Sequence, residues 1–400
     1  MSPTVPLEKS TTGPIRAEFL PFSRPTISPE AIAEVTACLQ SGWITTGPRV
    51  KRFEEMLRTY CGAPQVISLT SATAGLYIVL KALQLKPGDE VITTPMTFAA
   101  TLNVIVLAGG RPVLVDVERG TYNLDVSKLA AAITPRTRAI MPVHFAGQPV
   151  DLDPIYELAA KHGLRVIEDA AHAIGTEYKG RRIGSFGDVQ VFSFHPNKNL
   201  TTGEGGAVAL RDEKLAADLQ LLRFHGMDRE AWARFGKTGS PHYEIIRPGY
   251  KFNLMDMQAA LGIHQLPALD GYNARRAALV SRYRAALADW PEFLLPQDSS
   301  YPHRHAWHLF APLVNTGAGT KLTRDAFMAA LKERNVGTGL HYRAVHLYPY
   351  YRETFGWKPG DFPHAEFIGD RIVSLPLFPT LTESDQDEVI AIMRHVFDHA

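Results

Sequence analysis

The fifteen residues from Phe192 to Gly206, Phe-Ser-Phe-His-Pro-Asn-Lys-Asn-Leu-Thr-Thr-Gly-Glu-Gly-Gly, set a single lysine, Lys198, between a β-rich run and a glycine-rich turn. A lysine in free solution is protonated and a poor nucleophile. Where burial or nearby cations strip its proton, it can form a Schiff base with a carbonyl. Val189 to Phe194 carries the β-branched and aromatic alternation of a buried strand, and Thr-Thr-Gly-Glu-Gly-Gly requires a tight turn. Lys198 therefore sits at a strand mouth, where the local sequence fits either Schiff-base chemistry or an ordinary surface-loop lysine.

A second stretch, Val166-Ile167-Glu168-Asp169-Ala170-Ala171-His172, ends an apolar run on an acid followed by small residues that let a flat group lie close. An aspartate there can keep a pyridinium nitrogen protonated, because an adjacent carboxylate raises the pKa of a cation. A protonated pyridine ring is the electron sink of pyridoxal 5'-phosphate. The same aspartate would serve equally as the N-cap of a following helix. His172 reads as a neighbour of that ring or as a satisfied structural histidine. Third, Thr70-Ser71-Ala72-Thr73-Ala74-Gly75 passes from strand to helix through small hydroxyl residues. A helix N-terminus presents free amides to a phosphate, with the Ser71, Thr73 and Ser193 hydroxyls as further donors, although such residues also cap helices generally. Phe98 offers a flat face either to a ring or to core packing.

These residues need a scaffold that brings strand ends together. Val66–Thr70, Glu90–Thr94, Arg111–Val117, Arg138–His144, Arg165–Asp169, Val189–Phe194 and Gly206–Leu210 read as strands. Helical patterns fall between most of them, at Ala72–Leu83, Asp151–His162 and Glu213–Leu222. Such alternation predicts an α/β fold with a mostly parallel sheet covered on both faces, in which ligands gather at the carboxyl ends of strands. Beyond residue 266 the pattern changes to long helices, Leu266–Trp290 and Ser384–Phe397, around a strand-like His308–Val314. The expected division is a tail over 1–19, a large cofactor-binding domain with an N-terminal arm over 20–265, and a smaller α+β domain over 266–400.

Composition narrows the function classes. The chain has 400 residues, 45% of them hydrophobic, enough for a full core. Lys and Arg total 42 against 41 Asp and Glu, a net charge of +1, which points away from nucleic acid and from a polybasic membrane anchor. Cys38 and Cys61 alone suggest neither a disulfide framework nor a metal site. With no signal-peptide pattern in the first sixteen residues and no span-length apolar run, a cytoplasmic protein without membrane insertion is expected.

The ordered set Ser71-Ala72-Thr73-Ala74, Glu168-Asp169-Ala170-Ala171-His172, Ser193-Phe194-His195 with Lys198, and Gly203-Glu204-Gly205-Gly206 resembles the DegT/DnrJ/StrS sugar aminotransferases. The likeness runs from Leu20-Pro21-Phe22-Ser23-Arg24-Pro25 and Ser41–Pro48 through Gly249-Tyr250-Lys251-Phe252-Asn253 to Ser374-Leu375-Pro376-Leu377. It implies the aspartate-aminotransferase-like fold, fold type I, with pyridoxal 5'-phosphate as cofactor. Carried over, Lys198 is the Schiff-base lysine and proton carrier, and Asp169 holds the ring nitrogen. His172 lies near the phenolic oxygen, Phe98 covers one ring face, and Ser71, Ala72, Thr73 and Ser193 cradle the phosphate. Lys251 stands where many relatives have an asparagine that reaches the phosphate of the neighbouring subunit, so a homodimer is implied; a surface ion pair is the other reading of Lys251.

Within the family, 305–310, 337–344 and 350–353 are most similar to the UDP-4-amino-4-deoxy-L-arabinose aminotransferases. These move the amino group of L-glutamate to a UDP-linked 4-keto-pentose and release 2-oxoglutarate, in lipid A modification. Pro196-Asn197, Thr202-Gly203 and Phe98 depart from that subgroup. The rival readings are an aminotransferase for another nucleotide-linked keto-hexose in polysaccharide synthesis, and a regulatory protein that binds the cofactor without turnover. His341 and Arg343 fall in a segment that could face the substrate.

Overall fold

Alternation within the strands divides their side chains between two cores. Val191 and Phe192, Val91 and Ile92, Ala139 and Ile140, and Ile167 and Val166 each send neighbouring side chains into opposite layers. The computed structural model describes residues 13–228 and 242–399. It gathers these strands into one seven-stranded sheet: β1 (Gln65–Leu69), β2 (Glu90–Thr93), β3 (Arg111–Leu114), β4 (Thr137–Ile140), β5 (Arg165–Asp169), β6 (Val189–Ser193) and β7 (Gly206–Leu210). The spatial order is β1-β7-β6-β5-β4-β2-β3, and β7 alone runs antiparallel to its neighbours.

One face is covered by the helices Ala72–Ala82, Ala99–Leu107 and Glu213–Arg223, the other by Pro48–Cys61, Leu152–His162 and the first half of Asp256–Leu287. The sheet is thus mostly parallel and buried on both sides, as the strand–helix alternation predicts. The expected strand over Arg138–His144 stops its ladder at Ile140. Pro142 has no N–H to give, and only an isolated bridge from Val143 to Asp169 resumes the pairing.

The long helix starts at Asp256, ten residues before the expected Leu266. Pro267 lies inside it, and the helix runs through the missing N–H. Ala259, Ile263, Leu266 and Leu269 of this helix join the core under the sheet. Leu279, Val280, Tyr283 and Leu287 join a third core with Phe310, Phe327, Val336 and Val389. The position 265/266 therefore falls within one continuous helix, and the handover between cores comes after Leu269. Of the strand-like His308–Val314, only Leu313–Val314 pairs, with Phe293–Leu294. The preceding segment instead straps across the sheet end, with Ala306 N–H donating to Gly147 O at 3.1 Å and His308 N–H to Ala146 O at 2.8 Å.

Residues 1–12 of the expected tail lie outside the described residues. Arg16 pairs with Asp385 and Glu388, and Leu20 bridges to Val336 and is buried in the third core. Among the described residues no helix is long and apolar enough to cross a membrane.

Candidate active site

The carboxyl ends of β1, β2, β4, β5 and β6 surround a cleft of about 250 Å³. Its floor is built by the turn from β6 to β7. Ser193 pairs with Gly206 across the hairpin, and Phe194 N–H donates to Gly205 O at 2.8 Å. The loop between them carries Lys198 over the sheet end. Gly203 takes a left-handed φ of +80°, which favours glycine. At Gly206 the need is space, since a Cβ would lie 2.4 Å from the Ala72 nitrogen. β7 can therefore approach the start of the helix Ala72–Ala82 only with glycine here.

Ser71 is the N-cap of that helix, its Oγ accepting from Ala74 N–H at 3.0 Å. The amides of Ala72 and Thr73 belong to the first turn, which has no intrahelical acceptor. Both residues line the cleft, with Ser193 beside them. The positive end of the helix and its free amides make this corner an anion site.

Asp169 closes β5. Its Oδ2 accepts from Thr101 Oγ1 at 2.8 Å, and Thr101 in turn bonds Thr97 at 2.7 Å; its Oδ1 accepts from Ala171 N–H at 3.2 Å. No cation among the described residues lies within salt-bridge distance of it. Burial pushes this carboxyl above the ordinary carboxylate range, against the pull of those hydrogen bonds. A buried carboxylate that faces the cleft with no described cation at salt-bridge distance is the counterpart that a pyridinium needs.

Lys198 is half-buried in the cleft wall, and its desolvation there lowers its ammonium pKa from 10.5 to about 8, with Asp169 opposing. Its Nζ lies 3.3 Å from His308 Nε2. His172 accepts from Ala146 N–H at Nδ1, 3.3 Å, which assigns its proton to Nε2, 3.1 Å from the Tyr342 hydroxyl. Burial holds both His172 and His308 well below their ordinary pKa, so a neutral imidazole stands in the cleft wall at His172 and another beside Lys198 at His308. Phe98, 61% exposed, stands at the mouth with its ring 5.9 Å from that of Tyr342.

Thus Ser71, Ala72, Thr73, Phe98, Asp169, His172, Ser193 and Lys198 come together in one cleft, and Lys251 does not. Lys251 is exposed, donates to Asn253 Oδ1 and lies 5.0 Å from the Phe224 ring centroid. His341 lines the cleft and bonds Ser374 at 2.8 Å, whereas Arg343 is exposed and lies over Tyr348. Sequence reasoning missed His308, Tyr342 and Thr101. The first two arrive from segments more than 100 residues away; Thr101 lay one helical turn beyond Phe98 and was legible as a polar residue facing the same edge.

The sequence model of the DegT/DnrJ/EryC1/StrS aminotransferase family matches residues 25–394. The chain belongs to this family. It is 46% identical over 385 residues to the spore coat polysaccharide biosynthesis protein SpsC of Bacillus subtilis (strain 168), covering 95% of this chain and 98% of that protein. Among solved structures it is similar to the putative sugar aminotransferase Spr1654 from Streptococcus pneumoniae in its PMP-form. The TM-score is 0.88 at 33% identity, over 95% of this chain and 99% of that one. PseC from Helicobacter pylori, an aminotransferase involved in the biosynthesis of pseudoaminic acid, matches with a TM-score of 0.88 at 28% identity, over 96% and 100% of the two chains. The fold is therefore fold type I, and the enzyme is a transaminase with pyridoxal 5'-phosphate as cofactor. The residues present fit that group: an anion corner at Ser71–Thr73, a buried carboxylate at Asp169 with no cation bonded to it among the described residues, and an amine of lowered pKa in the same cleft.

Proposed function

We propose that this enzyme transfers the amino group of L-glutamate to the keto carbon of a nucleotide-linked 4-keto sugar, in polysaccharide biosynthesis. The observation that carries the reading is the cleft in which Lys198, Asp169 and the helix N-terminus at Ser71 converge. Full-length similarity to SpsC and to a sugar aminotransferase supports the substrate class and the pathway.

In this reading Lys198 holds the cofactor covalently, Asp169 pairs with its ring nitrogen, and Ser71, Ala72, Thr73 and Ser193 hold its phosphate. His172 and Phe98 flank the ring. When bound, pyridoxal 5'-phosphate supplies an electron sink for carbanion chemistry at the amino acid. Lys198 Nζ, once free, takes a proton at the donor carbon and returns it elsewhere, a task suited to an amine with a pKa near 8. Lys251 lies outside the cleft of its own chain, so its role at a phosphate belongs to a homodimer in which a second copy completes the site.

A second reading, the UDP-linked 4-keto-pentose, is favoured by the resemblance of 305–310 and 337–344, since His308 and Tyr342 from these segments stand at the lysine and at His172. Assays of 2-oxoglutarate formation with glutamate and a panel of UDP-, dTDP- and GDP-linked keto sugars test both. Turnover with a keto-hexose alone excludes the pentose. No turnover with any of them, despite bound cofactor, favours a regulatory protein instead. Lys198→Ala should lose both the visible absorbance of bound cofactor and transamination; retention of both sinks the reading.

A further inference from the structure

The histidine beside Lys198 is fixed from behind. His308 Nδ1 lies 3.2 Å from Asn199 Oδ1. The Asn199 amide nitrogen is committed to Asn273 Oδ1 and Ala306 O, both at 2.7 Å, so its oxygen is left to accept. The imidazole proton is therefore on Nδ1, and Nε2 presents a lone pair to the lysine. The backbone holds the ring in place as well: His308 N–H donates to Ala146 O, and Arg276 donates to His308 O at 3.3 Å. His308 is 2% exposed and Asn199 4%, so no water competes easily for either bond.

We infer that His308 is a positioning residue for Lys198: locked by Asn199 as an acceptor, it holds one N–H of the free amine and leaves the amine's lone pair directed into the cleft. The inference rests on the reading of Lys198 as the cofactor-bearing lysine. Whenever the amine is not bonded to cofactor, a flexible four-carbon stem would otherwise let it wander; a fixed acceptor keeps it over the reacting carbon. The acceptor also stabilises the ammonium, opposing the burial that strips its proton. The other titratable or charged groups facing this pair are Asp169, His172, His341, Tyr342 and Arg276. Asp169 favours the ammonium, His172 and His341 are both held neutral, burial keeps Tyr342 protonated, and Arg276 opposes further positive charge.

The test uses the full-length chain freed of cofactor. Acetylation of Lys198 by an N-hydroxysuccinimide ester, read by peptide mass spectrometry between about pH 6 and 10, reports the fraction of neutral amine. The wild-type midpoint is expected near 8. His308→Phe should move it down by about one unit, a tenfold change in acid dissociation. His308→Gln, whose amide oxygen can accept the same bond, should restore it to within about 0.3 of wild type. Asn199→Ala, which frees Nδ1 and lets the proton move to Nε2, should shift it the same way and is the second variant should His308→Phe fail to fold. A midpoint unchanged in whichever of these two folds overturns the inference. Wild-type protein that takes up no cofactor would instead overturn the reading beneath it, so the two failures are distinguishable.

Discussion

Glu168 and Asp169 are consecutive on β5, yet the strand's alternation sends them to opposite faces of the sheet. Glu168 meets three donors: His144 Nε2 at 2.8 Å, the Tyr156 hydroxyl at 2.6 Å and the Gln190 amide at 2.6 Å. His144 is itself set by Val150 N–H at its Nδ1. Asp169 has one hydroxyl and one backbone amide, and its remaining capacity faces the cleft. Both carboxylates are buried, so burial alone does not separate structure from function. What separates them is completeness: the first is fully satisfied within the fold, and the second is left waiting for a cation from outside.

The largest expected effect breaks the open side. Asp169→Asn should reduce kcat/KM by at least about a thousandfold, roughly 4 kcal/mol of transition-state stabilisation, because a neutral amide cannot hold a ring nitrogen protonated. The same change should leave the stability of the cofactor-free protein within about 1 kcal/mol of wild type, since it removes a buried carboxylate with few partners. Urea unfolding and steady-state kinetics on one preparation check both halves. Glu168→Ala should show the reverse ranking. Stranding three donors and leaving a void should cost about 3–4 kcal/mol of stability, while any protein that remains folded keeps its cofactor absorbance. Equal losses of stability in the two variants would erase the contrast.

A pH series sharpens the comparison from the lysine side. A lysine whose folded pKa falls from 10.5 to about 8 binds fewer protons folded than unfolded between those values, so stability rises with pH across that window. The buried ammonium therefore costs the cofactor-free fold roughly 3 kcal/mol below pH 8. Lys198→Met should be more stable than wild type by about that amount at pH 7, with the gap closing toward pH 10.5. Asp169 acts with the opposite slope at the acid end: its raised pKa makes stability fall as pH rises above about 4 through the folded value, and Asp169→Asn should flatten that region. A gap between wild type and Lys198→Met that is flat with pH would mean that the amine is not desolvated.

Much of this was legible because it is local. Strand ends announce themselves by an apolar run meeting an acid or a serine, which is how Asp169, Ser193 and the turn at Ser71 declared themselves. Lys198 followed from the hairpin that Gly203 and Gly206 permit. The contribution of His308 was not legible, since it reaches Lys198 from 110 residues away. Tyr342 reaches His172 across 170 residues in the same way. The helix Asp256–Leu287 was legible only from Leu266 onward, because its first part packs under the sheet and its later part into the third core, so no single apolar face runs its length. Glu168 and Asp169 differ only in which partners the third dimension brings, and no property of the dipeptide itself encodes that.

The smallest expected effect concerns caps, and it asks whether the contrast between satisfied and waiting groups extends to hydroxyls. Ser71 Oγ accepts from Ala74 N–H, and Thr382 Oγ1 accepts from Asp385 N–H at 3.0 Å while donating to the Asp385 carboxylate at 2.6 Å. Either residue changed to alanine should cost about 1 kcal/mol of stability in the cofactor-free chain, the ordinary worth of an N-cap. The Thr382 hydroxyl is spent entirely on its own helix. The Ser71 hydroxyl accepts its capping bond and keeps its proton to donate toward the cleft. Ser71→Ala should therefore also weaken cofactor binding, by about fivefold to tenfold for one neutral donor to a phosphate, and Thr382→Ala should not. Equilibrium dialysis of pyridoxal 5'-phosphate against the two variants reads the difference. Equal affinities would mean that Ser71 is only a cap, leaving the anion corner to the amides of Ala72 and Thr73 and to Ser193.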